Sequence, residues 1–286
     1  MRLLVNCFRI AYDAFIALAR DDGWAIASHI ALSLLMSLFP FLIFVAALTG
    51  FFGAQNLSDQ VAQILLEAWP QEVSRPLSNE IERVLTTAHS GLLTIGGALA
   101  LYFSSNGIES LRIGLNRAYG VAEQRSWWLL RLESIAYMLV AALALIALSF
   151  LIVLGPLILQ TAQRHFPALS QFEGTLTFLR FGVATAVLVV ALVLVHKWLP
   201  AGRRSLLEIA PGIIVTLAMW LITGVLFGRY LAQFASAYVS MYAGLASAMI
   251  ALVFLYWTAT IFIYGGELNA AIVNLRQQQT DETDAA

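Results

Sequence analysis

Long apolar runs alternate with short polar breaks along this chain, and the runs have the length of membrane-crossing helices. Residues 206–227 carry one charged residue, Glu208 near the start, and residues 242–264 carry none. Each run covers the roughly 30 Å of a bilayer core at about 1.5 Å per helical residue. Further crossings are expected at about 24–53, 92–111, 135–159 and 176–195, which makes six. The second is the least clean, because its apolar run is too short to span and must continue through Ser104, Ser105, Asn106 and Gly107.

Two other stretches have the amphipathic period of 3.6 rather than uniform apolarity. Leu4, Phe8, Ala11, Tyr12, Phe15, Ile16 and Ala19 predict an interfacial helix over 1–22, with Arg2 and Arg9 beside its apolar face. Between 56 and 90 a series from Leu57 to Ala68, and after Pro70 another from Val73 to Leu85, predict two interfacial helices, with Pro76 in the first turn of the second. The expected fold is therefore all-α: a polytopic membrane protein with six transmembrane helices plus interfacial amphipathic helices, forming a single domain over 1–275. The tail over 276–286 is polar and apolar-poor, and predicts disorder.

Composition agrees with a membrane solvent: 286 residues, 60% hydrophobic and 12% charged, against roughly 25% charged in soluble domains. The net charge of −1 says little; the placement of basic residues says more. Lysine and arginine divide eleven against five between the two sides of the six-crossing scheme. The richer side holds both termini, so the positive-inside rule puts them in the cytoplasm and 56–90 in the periplasm. A single cysteine, Cys7, excludes an intrachain disulfide and any CxxC chemistry.

Candidate chemistry is sparse. Pro40 and Pro211 interrupt helical hydrogen bonding and predict kinks. Gly224 and Gly228, four residues apart, predict a close helix-packing face, within the chain or between chains. His29 and Ser33 lie shallow in crossing one. Crossings two and six end on the same side, which puts Asn106, Glu109, Glu267 and Asn269 at similar depth. Polar groups there are costly unless they face one another or water. Two readings stand: helix-end groups paired for structure, or a vestibule in which Glu109 and Glu267 supply charge and Asn106 and Asn269 orientation for a cation or polar head group.

At this point the residues resemble those of the bacterial YihY/BrkB inner-membrane proteins, once called ribonuclease BN, over nearly the whole chain. The likeness rests on Ala27 to Ser33 with Ser37 to Pro40, on Lys197 to Pro200 with Pro211-Gly212, and on Tyr238, Tyr242, Gly244-Leu245 and Gly265 to Asn269. The family often has aromatic residues where this chain has His29 and Ile30, and Gly-Ala-Glu where it has Gly265-Gly266-Glu267. The resemblance implies a six-helix inner-membrane protein associated with transport or envelope maintenance.

A metal-dependent nuclease would need clustered His and Asp ligands, whereas His29, His89, His165 and His196 are scattered, and no HExxH, GxSxG or P-loop pattern occurs. No enzyme activity, cofactor or metal is expected, and the basic connector 112–131 suits an inner-leaflet surface better than nucleic acid. Translocation of a lipid or solute leads. A non-transporting scaffold that organises envelope partners is the alternative, and ribonuclease comes last. The partners implied are membrane lipids, an envelope protein or a second copy of the chain.

Overall fold

The computed structural model describes residues 2–51, 95–165, 173–242 and 245–284. The amphipathic pair expected over 56–90 and the loop around Pro167 lie outside them. Among the described residues there is no strand. The helices are α1 (Arg2–Arg20), α2 (Gly23–Phe51), α3 (Ile95–Ser104), α4 (Asn106–Ala118), α5 (Trp127–His165), α6 (Glu173–Trp198), α7 (Leu206–Tyr242) and α8 (Ala246–Asp284).

Among the described residues, four stretches are long and apolar enough to cross a membrane: Gly23–Val45, Trp127–Leu148, Leu206–Phe234 and Ala246–Gln278. They correspond to the first, third, fifth and sixth expected crossings. A fifth stretch, Gly182–Trp198, is apolar but shorter. Their outward faces carry exposed aliphatic side chains such as Leu143, Ile214, Leu221 and Val225, a pattern that hydrocarbon tolerates and water does not.

Three expectations are corrected. Crossing two is not one helix over 92–111, because α3 and α4 are interrupted at Ser105. Adjacent hydroxyls bond back to carbonyls three residues earlier there, Ser104 to Leu101 at 2.9 Å and Ser105 to Tyr102 at 2.7 Å, the kind of local competition that bends a helix. Crossing three starts eight residues early, at Trp127, behind Ser126, whose carbonyl accepts from the Leu130 N–H at 3.1 Å. The tail is helical to Asp284, because extending a long helix costs far less than nucleating one.

The chain divides into two compact units. One comprises Ser37–Ser105 and Leu132–Ala191, with Phe41, Leu42, Val45, Met138 and Ala142 buried in it. The other comprises Met1–Met36, Asn106–Arg131 and Leu192–Ala286, and its core gathers Leu18, Ile30, Leu115, Ile213, Phe262 and Ile263. The candidate site lies wholly in this second unit.

Local chemistry sets the elements around that site. α4 ends in a Schellman motif: Gly120, at φ +62°, donates to Arg117 at 3.0 Å, and Val121 donates to Asn116 at 2.9 Å. The left-handed conformation explains the glycine. α7 starts at a capping box in which the Glu208 carboxylate accepts from the Ser205 N–H at 2.9 Å. Between these ends, Asn116 accepts from the Ala201 N–H at 2.7 Å and donates to Glu123 at 3.1 Å. Arg125 donates to Glu123 at 2.7 Å and to the Leu199 carbonyl at 3.0 Å. The two connectors are thus clasped together.

Candidate functional site

The segment Gly265-Gly266-Glu267-Leu268-Asn269 of α8 is pressed between two helices. A Cβ on Gly265 would collide with the Thr216 hydroxyl of α7, and one on Gly266 would meet Ala118 and Leu115 of α4. On the facing helix, a Cβ on Gly212 would collide with the Gly265 carbonyl and the Asn269 amide. Glycine at these positions allows backbones to approach as small residues do in membrane bundles. The expected packing face at Gly224 and Gly228 is not where α7 makes this approach. A Cβ at Gly224 meets nothing within 4 Å, and Gly228 is half-buried.

Close approach buries polar groups, and these must be paired. Gly212, directly after Pro211, donates its backbone N–H to Asn269 Oδ1 at 2.7 Å. Both Pro211 and Pro40 lie inside continuous helices. A proline disturbs the ladder around it, and a neighbouring side chain can supply the acceptor. With Oδ1 occupied, Asn269 Nδ2 donates to the Tyr119 hydroxyl at 3.2 Å. The Tyr119 hydroxyl also shares a 2.8 Å hydrogen bond with His196 Nδ1, its direction set by the imidazole tautomer. His196 is fully buried, its Nε2 has no hydrogen-bond partner, and its ring lies 5.0 Å from that of Phe262. The Arg204 guanidinium covers the Tyr119 ring at 3.8 Å. Burial pushes the Tyr119 hydroxyl up to about 12 and draws the Arg204 guanidinium below its ordinary value.

Tyr119, Arg204 and Asn269 line a cavity of 890 Å³ whose other walls include Tyr12, Asp13 and Arg20 of α1, Gly202, Arg203 and Glu267. Glu267 is 3% exposed, and its Oε1 has no hydrogen-bond partner. Arg20 and Asp21 line the same cavity. Arg20 is shared with Asp21 at 3.2 Å. A buried carboxylate oxygen on a cavity wall is costly unless a proton, a cation or a donor from a ligand satisfies it.

The other residues expected in the vestibule are elsewhere. Asn106 accepts from Arg131 at 2.8 Å. Glu109 pairs with Arg112 and lies 3.9 Å from Arg131. Arg112, fully buried, also donates to the Leu130 carbonyl at 3.0 Å. These bonds fasten the start of α4 to the start of α5, and neither Asn106 nor Glu109 lines the cavity. His29 is exposed on α2, Ser33 is half-buried there, and both lie off the cavity wall. The expected three-helix convergence is thus corrected to Glu267 and Asn269, joined by Tyr119, Arg204 and α1. Depth along an axis was legible in the sequence, but azimuth and the competing arginines were not. The tyrosine before Gly120 was the available signal for Tyr119, since a helix cap fixes the residue preceding it.

Comparison with known proteins gives three findings. The family model described as Virulence factor BrkB matches residues 14–286. The "Putative ribonuclease-like protein YfkH" of Bacillus subtilis (strain 168) is 28% identical over 261 residues, which cover 91% of this chain and 94% of that protein. No solved structure matches.

Proposed function

This chain belongs to the BrkB family, and we propose that it translocates a lipid or solute across the bacterial inner membrane, with Glu267 as the ionisable centre of the binding cavity. One observation carries the reading: a carboxylate that is 3% exposed, with an oxygen lacking any partner, stands on the wall of an 890 Å³ cavity. A carboxylate used only for structure would be paired, as Glu109 is with Arg112. Asn269 and Tyr119 orient the wall, and α1 covers it. The positive-inside asymmetry supports a cytoplasmic side for this cavity and both termini.

The ribonuclease-like name belongs to the Bacillus relative. In this chain, no group of three or more His, Cys, Asp or Glu is placed to hold a metal ion among the described residues. The second reading, a scaffold that organises envelope partners, draws on the outer face of α7, where Gly224 borders open space. Flux in proteoliposomes separates the two. Glu267→Gln should abolish it at unchanged insertion and melting temperature, whereas a protein without flux that co-purifies with one stoichiometric envelope partner is the scaffold.

A further inference from the structure

α1 separates two spaces of opposite character. On one side is the polar cavity. On the other is a groove of 630 Å³, whose lining includes Phe15 and Leu18 of α1, Met219 of α7, and Trp257, Tyr264 and Ile272 of α8. Along α8 it extends from Trp257 to Ile272, about 22 Å at 1.5 Å per residue, which exceeds the roughly 15 Å of hydrocarbon in one leaflet. Both α7 and α8 contain stretches able to span a membrane, so the medium available to this groove is hydrocarbon. α8 turns Glu267 and Ala271 to the cavity and Leu268 and Ile272 to the groove, so one edge of one helix divides them.

The cavity lining carries both signs. Glu267 is buried with its Oε1 unpartnered; Asp13, Asp21 and Glu208 share the lining, and Arg20, paired with Asp21 at 3.2 Å, and Arg203 are exposed on it. A ligand that satisfies both spaces carries a cation for the deep carboxylate, an anion for the outer arginines, and an alkyl chain. An anionic lipid without an amine would set its phosphate against Glu267, and a free amine or phosphate would leave the groove unfilled.

We propose that the ligand is a zwitterionic, primary-amine-bearing phospholipid, its ammonium on Glu267, its phosphate at Arg20 and Arg203, and one acyl chain in the groove under α1. The assignment names the substrate class of the translocation proposed above and rests on that reading. The purified full chain is titrated with equimolar dioleoyl phosphatidylethanolamine and dioleoyl phosphatidylglycerol, and retained lipid is counted by native mass spectrometry. Wild type should favour the ethanolamine lipid by about tenfold, the scale of one charge-assisted contact. Glu267→Gln should level the two. Thr223→Phe and Ala11→Phe, which narrow the groove from opposite walls, should each lower retention of both lipids at unchanged melting temperature. Equal retention by wild type, a preference that survives Glu267→Gln, or full retention in both groove variants would overturn the assignment. A preference without flux of fluorescent phosphatidylethanolamine keeps the assignment and removes translocation. Flux of another solute without lipid preference does the reverse.

Discussion

Gly212 and Asn269, 57 residues apart in sequence, share a 2.7 Å hydrogen bond from backbone N–H to side-chain oxygen, and it ties the two helices of closest approach at the point where Pro211 disturbs one of them. Asn269→Leu removes the acceptor for Gly212 and the donor to Tyr119 together. Each orphaned buried group costs about 1–3 kcal/mol, so thermal unfolding in detergent should shift down clearly. Tyr119→Phe should cost less, and the two changes should be non-additive in a double-mutant cycle, because they belong to one network.

The glycines give a contrast between the packed face of α7 and α8 and the outer face of α7. Gly212→Ala and Gly265→Ala place a methyl group against backbone or a hydroxyl, and should each destabilise by about 1–3 kcal/mol or more. Gly224→Ala meets open space and should be neutral or stabilising by up to about 1 kcal/mol. Melting temperatures of the three variants measure the difference.

The helices of this fold were legible where apolar length alone decides, as in 206–227, 242–264 and the first crossing. Pro211-Gly212 and Gly265 to Asn269 were legible as motifs, but not as partners, since nothing local records which distant backbone meets a glycine. Asn106 and Glu109 were grouped with Glu267 by depth, whereas Arg112 and Arg131 claim them. The Ser104-Ser105 hydroxyls that end α3 were visible, yet hydropathy averages over them. Ser205 and Glu208 form a capping box that an apolar-run reading also passes over.

Glu123 links stability to acid pH. Bonds from the Arg125 side chain hold its carboxyl down at about 2, with further help from the Arg125 N–H and Asn116. A lowered folded-state value means that the contribution is full above the ordinary value of 4.5 and is lost as pH falls toward 2. Solvent reaches this half-buried group and keeps the effect modest. Unfolding midpoints of wild type should fall between pH 5 and pH 2 by more than those of Glu123→Gln, read against about 4.3 for an unfolded glutamate.

Orientation is tested at Cys7, the single cysteine. In intact cells an impermeant maleimide should leave it unlabelled and react only after permeabilisation. Labelling without permeabilisation would invert the assigned sides and place the cavity in the periplasm.

The central claim is that Glu267 is retained for a ligand, and flux across proteoliposomes containing Glu267→Gln tests it most directly. The account predicts loss of translocation with insertion and thermal stability close to wild type, because an oxygen without a partner gives up no structural bond on substitution. Glu109→Gln, which loosens the pairing with Arg112, should instead lower stability and activity in step. Full flux in Glu267→Gln, or a loss of flux that merely tracks a loss of stability, would contradict it.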